Sequence, residues 1–268
     1  MSIFEAIVLG LVQGLSEFIP ISSSGHLVIV PALLGWDEPG LAFDVLLHAA
    51  SLVALVAYFS GDLVDLFRGM MRGSRDSRRV LGLLLIATIP AGIAGLLLGG
   101  YFEEQFKDAK GAALQLLLTA VILVGAEQLT QRNQRSADVT GRPMKSQDDL
   151  TPAGALLVGV AQAVAIIPGI SRSGSTIGAG LLLGMDREAA ARFAFLLAIP
   201  ALAGAALVQL PDLGSSSIGL GAGAVGFIAS LVSSYVAVAG LIRYLKTRTL
   251  YPFAAYVTVA AVVFYILL

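Results

Sequence analysis

The feature that most constrains this chain is a series of long apolar runs with few charged side chains. Six of these runs are long enough, or nearly long enough, to cross a bilayer: 43–59, 80–100, 112–129, 193–210, 218–242 and 252–268. A helix of 17 residues spans about 25 Å, close to the thickness of a hydrocarbon core of about 30 Å. Of the 268 residues, 57% are apolar and 13% are charged, whereas soluble domains carry about 25% charged residues. We therefore expect an all-α integral membrane protein with six transmembrane helices.

Two further apolar stretches, 3–35 and 153–184, are interrupted near their middle by proline, glycine and serines. A continuous helix does not pass through such a break, and irregular backbone is not tolerated in contact with lipid. We therefore expect each stretch to form a re-entrant helix pair that turns back inside the bilayer.

The charges of the loops predict the orientation of the chain. Loops 60–79, 130–150 and 243–251 are rich in arginine and lysine, whereas loops 101–111 and 211–217 are acidic. The positive-inside rule places the first three loops in the cytoplasm. Counting crossings from these loops, the first broken stretch enters from outside, the second enters from the cytoplasm, and both termini lie outside. Because no lysine or arginine precedes Arg68, we expect no cleavable signal peptide.

An internal repeat agrees with this topology. The segment GLVQ at 10–13 recurs as GVAQ at 159–162, and the pair SG at 24–25 recurs at 173–174, both at a spacing of 149 residues. Each half would contain one broken stretch and three spans, and an odd number of spans gives the two halves opposite orientations. The alternative is chance similarity between segments rich in Gly, Ala and Leu. The pattern predicts one membrane domain, 1–268, with inverted halves at about 1–130 and 151–268 and a cytoplasmic linker at about 130–150.

Four ionisable side chains lie well inside apolar stretches: Glu17, His26, Glu127 and Arg172. Such residues are costly in a membrane and usually face a cavity. Glu127 is close to Arg132, at the inner end of a span, and is expected to be an interfacial carboxylate. The other three residues fall at the two helix breaks. His48 lies within a span, and packing and a site role are equally compatible with its position.

The first break combines an amide, a carboxylate, hydroxyls and an imidazole. Gln13 and Glu17 are four residues apart and so share one helical face. The break then continues with a proline that is expected to end the helix and with residues that would cap and begin the next one: Pro20, Ser22, Ser23, Ser24, Gly25 and His26. A helix N-terminus flanked by hydroxyls is a natural anion site.

The second break repeats this arrangement with a guanidinium at the start of the new helix. It contains Pro168, Gly169, Ser171, Arg172, Ser173, Gly174, Ser175 and Thr176. The planar fork of arginine suits bidentate binding of phosphate. If the inverted halves meet at the middle of the membrane, Arg172 converges on Glu17 and His26. The alternative is that the Ser/Gly turns only cap broken helices and that Arg172 pairs with Glu17.

A carboxylate, hydroxyls and an arginine at one point favour phosphate chemistry, which usually also needs a divalent cation. Glu17 could hold the cation or accept a proton from the nucleophile. His26 could be a general base, a general acid or the nucleophile, and Ser23 is a second candidate nucleophile. The residue types alone do not show which of these roles each side chain has.

The two motifs together resemble the signatures of the bacterial undecaprenyl-diphosphatases, membrane phosphatases also known for conferring bacitracin resistance. The first motif of that family begins with Glu or Gln, and here it begins with Gln13. The resemblance implies hydrolysis of undecaprenyl diphosphate to undecaprenyl phosphate and inorganic phosphate, which recycles the lipid carrier of cell-wall synthesis. It also implies a divalent cation (Mg²⁺ or Ca²⁺), a location in the bacterial inner membrane, a site that opens toward the periplasm, and self-association as a homodimer.

The resemblance further implies roles for individual residues. The catalytic residues would be Glu17, Ser23, His26 and Arg172, with Glu17 also on the metal. The residues that bind the substrate would be Gln13, Ser22, Ser24, Gly25, Ser171, Ser173, Gly174 and Thr176.

A transporter of a different class remains the main alternative. Inverted repeats with broken helices are typical of transporters, and their anion-binding helix ends would suit a prenyl-phosphate head group that is moved across the membrane. Other classes are excluded by composition. The net charge of −1 leaves no basic face for nucleic acid, and the lack of cysteine excludes disulfides and cysteine-ligated metals.

Overall fold

The computed structural model of the chain describes residues 1–37, 39–105, 108–141, 143–209 and 219–268, with backbone only at 102 and 103. Within these residues the fold is helical, and the only β-type pairing is an isolated bridge between Lys145 and Met185. The helices are α1 Ile3–Phe18, α2 Ser23–Leu34, α3 Leu41–Tyr58, α4 Ser60–Met71, α5 Arg75–Gln105, α6 Ala109–Thr140, α7 Pro152–Val164, α8 Arg172–Leu182, α9 Arg187–Gln209, α10 Leu220–Leu245 and α11 Tyr251–Leu267.

The long apolar helices coincide with the runs expected to cross the membrane. Among the described residues, five helical stretches are long and apolar enough to do so: Leu41–Tyr58, Arg75–Tyr101, Ala109–Thr140, Arg187–Gln209 and Leu220–Leu245. The sixth expected span, 252–268, corresponds to α11, an apolar helix of 17 residues. Residues 210 and 218, at the ends of two expected spans, and the acidic loop 211–217 lie outside the described residues.

Each of the two broken stretches forms two short helices that pack on each other, α1 with α2 and α7 with α8. The four helices have 16, 12, 13 and 11 residues, so none exceeds about 24 Å, which is less than the hydrocarbon core. In the first stretch α1 ends at Phe18, just before Pro20, as expected. In the second stretch α7 already ends at Val164, and Pro168 lies within a series of turns that includes Gly169 at φ 88°.

Two loops that the charge pattern treated as connections are partly helical. The loop expected at 60–79 contains α4, and its last residues belong to α5. Helix α6 continues to Thr140, so half of the expected linker 130–150 is an extension of a span. The rest includes a 3-10 turn, Gln147–Asp149, capped by Ser146. Hydrogen bonds from the N–H and hydroxyl of Ser146 lower the pKa of the Asp149 carboxyl.

Each broken stretch packs against a long helix that is distant from it in the chain. Helix α1 packs along α10, and α7 packs along α5. Glycines permit both contacts, since a Cβ at Gly10 would lie 2.5 Å from the carbonyl oxygen of Gly226, and a Cβ at Gly159 would lie 2.4 Å from that of Ala87. Both breaks are therefore held between long helices in the interior of the molecule.

Candidate active site at the two helix breaks

The structure brings the two helix breaks into direct contact. The Ser173 hydroxyl donates to the Ile19 carbonyl oxygen at 3.3 Å. Gly25 lies so near the other break that a Cβ there would be 3.1 Å from the Cα of Gly169. The Arg172 guanidinium forms an ion pair with Glu17. Residues 155 positions apart in the chain thus share one site.

Glu17 is the centre of this site. Its side chain is buried, and the residue is only 5% exposed. One carboxylate oxygen, Oε1, accepts from Arg172. The other, Oε2, accepts from the Ser23 hydroxyl and from the Gln13 amide at 3.0 Å. A buried carboxylate is stable when it is paired and hydrogen-bonded in this way, so the geometry fixes the orientation of Glu17.

The two breaks begin their second helices with the same cap. The Ser22 hydroxyl accepts from the Gly25 N–H at 3.3 Å, and the Ser171 hydroxyl accepts from the Gly174 N–H at 3.1 Å. Ser22 reaches its position at φ 72°, a left-handed conformation that is costly for a residue with a side chain and is often found at functional sites. Each break therefore presents a helix N-terminus, where backbone N–H groups attract anions.

Further hydroxyls surround these caps. Ser22 lies 3.3 Å from Ser24 between hydroxyl oxygens, and Ser171 lies 3.2 Å from Ser173 in the same way. Thr176, one turn into α8, donates to the Arg172 carbonyl oxygen at 2.8 Å. The residues expected to bind substrate, apart from Gln13 in α1, are thus gathered at the two helix starts.

The ring of His26 makes its hydrogen bonds outside the Glu17–Arg172 pair. Its Nδ1 lies 2.8 Å from the Ser22 carbonyl oxygen, which can only accept, so Nδ1 carries the proton. Its Nε2 lies 2.9 Å from the Tyr256 hydroxyl, which therefore donates. The ring also stacks on Tyr256 and meets the edge of Phe264. The sequence predicts that Arg172 converges on both Glu17 and His26. In the structure Arg172 pairs with Glu17, whereas the His26 ring packs on Tyr256 of α11.

Three residues near the site lie outside both sequence motifs, so the motifs do not predict that they belong to it. His48, which the sequence left open, places Nε2 3.8 Å from Glu17 Oε2 and Nδ1 2.8 Å from the Asp44 carbonyl oxygen. Thr119 bridges the second break, because its hydroxyl donates to the Gly169 carbonyl oxygen and accepts from the Ser171 N–H, both at 2.9 Å. Tyr256 holds His26. These residues belong to helices that are distant in sequence from both motifs.

The sequence predicts Glu127 to be an interfacial carboxylate close to Arg132, and the structure shows which groups its side chain binds. Glu127 is fully buried and forms an ion pair with Arg187. It also accepts from the Leu250 N–H at 3.1 Å and from Gln131 at 3.2 Å. Glu127 therefore ties α6 to the starts of α9 and α11, which is a structural role.

The donors beside Glu17 fit a hard divalent cation. Among the described residues no group of three or more His, Cys, Asp or Glu side chains could hold a metal ion. However, the buried Oε1 of Gln13 has no hydrogen-bond partner in the described part of the chain, and the nitrogen of its amide group donates to Glu17. Mg²⁺ is commonly bound through one or two carboxylates, with phosphate oxygens and water completing the shell. One carboxylate and one free amide oxygen match that requirement.

Comparison with known proteins agrees with the motifs. Residues 6–263 match the family described as bacitracin resistance protein BacA. A relative named undecaprenyl-diphosphatase from Methanosphaera stadtmanae is 40% identical, with 100% of this chain and 98% of the relative covered. Relatives of the same name from Geobacter sulfurreducens and Moorella thermoacetica are 42% and 40% identical, each with 96% of this chain and 94% of the relative covered. The chain belongs to the bacitracin resistance protein BacA family.

Proposed function

We propose that the chain is an enzyme that hydrolyses undecaprenyl diphosphate to undecaprenyl phosphate and inorganic phosphate, recycling the lipid carrier of cell-wall synthesis. The observation that carries this proposal is the meeting of Ser23 and Arg172 on the Glu17 carboxylate. A hydroxyl, a base for its proton and a phosphate-binding guanidinium are the groups that phosphoryl transfer requires. The names of the relatives support the same reaction.

In this proposal the two helix starts bind the diphosphate. Arg172 neutralises the charge on the phosphate oxygens, and the helix N-termini at the starts of α2 and α8 add their partial positive charge. The surrounding residues contribute hydroxyls and close backbone approach: Gln13, Ser22, Ser24, Gly25, Ser171, Ser173, Gly174 and Thr176. The prenyl chain of the lipid remains among the apolar helices.

We assign Ser23 as the nucleophile and Glu17 as its base, because the two are directly hydrogen-bonded. The Ser23 oxygen attacks the terminal phosphorus while its proton passes to Glu17. The bond from this phosphorus to the bridging oxygen breaks, Glu17 passes the proton to that oxygen, and undecaprenyl phosphate leaves. Water then attacks the phosphoserine and gives one proton to Glu17, which passes it to the Ser23 oxygen as the serine–phosphorus bond breaks and inorganic phosphate departs. His26 has both ring nitrogens engaged, so its role is to hold the Ser22 turn.

A divalent cation, Mg²⁺ or Ca²⁺, would be held by Glu17 and the free Gln13 Oε1, and it would neutralise charge on the phosphate oxygens. The buried and otherwise unpaired amide oxygen supports this assignment.

We also propose that the chain is a single domain, 1–268, with six spans and two re-entrant pairs in an inverted repeat. Halves at about 1–130 and 151–268 would be joined by a cytoplasmic linker at about 130–150. The exchange of packing, α1 on α10 and α7 on α5, supports this arrangement. Together with the loop charges it favours a protein of the bacterial inner membrane, with both termini outside and a site that opens toward the periplasm. Association as a homodimer stays a prediction.

A prenyl-phosphate transporter is the second candidate, because short paired helices that pack on the opposite half are a transporter design. The Ser23 hydroxyl bonded to the Glu17 carboxylate favours catalysis over transport, since binding of a phosphate head group alone needs fewer functional groups.

The decisive experiment is phosphate release from a C55 prenyl diphosphate by the purified protein in detergent, with and without EDTA. We expect release that is lost with EDTA and restored by Mg²⁺ or Ca²⁺. No release from folded protein at any metal concentration would contradict the enzyme, and movement of prenyl phosphate across proteoliposomes would then support the transporter.

A further inference from the structure

Helix α4 presents an apolar face that no other helix covers within the described part of the chain. It follows α3 with only Phe59 between them, and none of its residues is buried. Val64, Phe67 and Met71 are 43%, 60% and 71% exposed. They are three and four residues apart, so they form one stripe along the helix.

The opposite side of α4 is the one that contacts the rest of the molecule. A Cβ at Gly69 would lie 2.0 Å from the Ser77 hydroxyl oxygen, so α4 packs closely on the start of α5 at this point. Asp62 forms an ion pair with Arg192 of α9. The apolar stripe is about half a turn away from Gly69 around the helix, and it therefore faces away from the helical core.

The position of α4 along the chain places it at the boundary of the membrane. Helix α3 ends at Tyr58, and the uncharged part of α5 begins at Val80, so α4 lies where two spans leave the bilayer. The segment from α4 to the first turns of α5 carries five exposed arginines: Arg68, Arg72, Arg75, Arg78 and Arg79. None of them lies within ion-pair distance of an acidic side chain in the part of the chain that is described.

We propose that α4 is an interfacial anchor that binds the anionic phospholipids of the surrounding bilayer. Its apolar stripe inserts among the upper acyl carbons, and the arginines bind lipid phosphates, as amphipathic basic helices do at membrane surfaces. A second copy of the chain is disfavoured as the occupant, because a two-fold contact through this stripe would bring the two basic rims together. The inference does not depend on the proposed reaction.

The chain has no cysteine, so a single labelled cysteine tests this proposal directly. The Phe67→Cys variant, carrying an environment-sensitive fluorophore, is reconstituted in vesicles of phosphatidylcholine with or without phosphatidylglycerol. We expect quenching by brominated acyl chains that is about twofold or more stronger than at the matched control Asp65→Cys on the exposed polar side. We also expect phosphatidylglycerol to increase it further.

Adding Arg72→Gln and Arg75→Gln to the labelled chain separates charge from insertion. We expect these changes to abolish the effect of phosphatidylglycerol while the fluorophore remains near the acyl chains. A label at 67 that is quenched by aqueous iodide as strongly as the control would overturn the proposal. A label protected from both quenchers would also overturn it, because a protein partner would then cover the stripe.

Discussion

The two helix breaks have the same backbone design but carry different chemistry. Ser23 and Arg172 are each the first residue of the second helix in their break, and they are 149 residues apart, the spacing at which the short segments recur in the sequence. Both side chains bond to Glu17, one as a hydroxyl and the other as a guanidinium. In the proposed reaction the first break supplies the reacting group and the second supplies the positive charge.

The glutamines that precede the two breaks also differ in their hydrogen bonds. Gln13 donates to Glu17, whereas neither amide atom of Gln162, which ends the similar segment 159–162, has a hydrogen-bond partner among the described residues. The residues that follow them explain the difference. Four positions after Gln13 there is a carboxylate, and four positions after Gln162 there is Ile166. The second half has retained the buried amide without the acid.

Removal of the Ser23 hydroxyl should have the largest effect, because it tests whether the first break supplies the nucleophile. We expect Ser23→Ala to lower the rate of diphosphate hydrolysis by about 10⁴-fold or more. The matched control is Ser24→Ala, which removes a neighbouring hydroxyl bonded only to Ser22 and should cost about tenfold or less. The measurement is phosphate release together with acid-stable labelling of the protein by substrate labelled in its terminal phosphate. Acid-stable label on Ser23→Ala protein would contradict the assignment in favour of another hydroxyl, and label that is lost in acid but kept in alkali would direct attention to His26.

The corresponding change in the second break is Arg172→Ala, for which we expect a loss of about 10³-fold in kcat/KM. Arg172→Lys should recover part of this loss, because it restores a positive charge without the bidentate fork. Both variants should elute as the wild-type protein does on gel filtration in detergent. Turnover near the wild-type rate in Arg172→Ala would remove the guanidinium from the mechanism and leave the second break with a structural role alone.

The backbone contacts behind the breaks should be equally important in both halves. Gly10→Ala and Gly159→Ala each force a methyl group against a backbone carbonyl oxygen, and we expect each to destabilise the protein by about 1–3 kcal/mol. The control is Gly125→Ala, because a Cβ at that position meets no atom within 4 Å. Thermal unfolding in detergent measures the effect. A large loss of stability in only one of the two glycine variants would show that the halves do not pack in equivalent ways.

The sequence predicts the elements of this fold better than their contacts. Apolar runs locate the long helices, and the proline and serine breaks locate the short ones, because both patterns act within a few residues of the chain. The motifs also indicate that Glu17 and Arg172 belong together. The motifs do not show in which direction each side chain points. Whether His26 faces Glu17 or Tyr256 depends on how α11 packs, and that contact joins residues 230 positions apart.

Loss of the Tyr256–His26 hydrogen bond should have the smallest effect. It tests whether His26 only positions other groups or takes part in the reaction itself. Tyr256→Phe removes the hydroxyl that donates to Nε2 but leaves the ring that stacks on the imidazole. A hydrogen bond of this kind contributes about 0.5–1.5 kcal/mol, so we expect kcat to fall by between about twofold and tenfold, with the phosphoserine intermediate still formed. His26→Asn should show a similar loss, because its amide can still bond to the Ser22 carbonyl oxygen. If instead His26→Asn were as inactive as Ser23→Ala while Tyr256→Phe were more active than the wild type, a freed Nε2 would be taking part in the reaction. In that case the first break would carry two reacting groups, and the division of chemistry between the halves would be more unequal than the hydrogen bonds to Glu17 indicate.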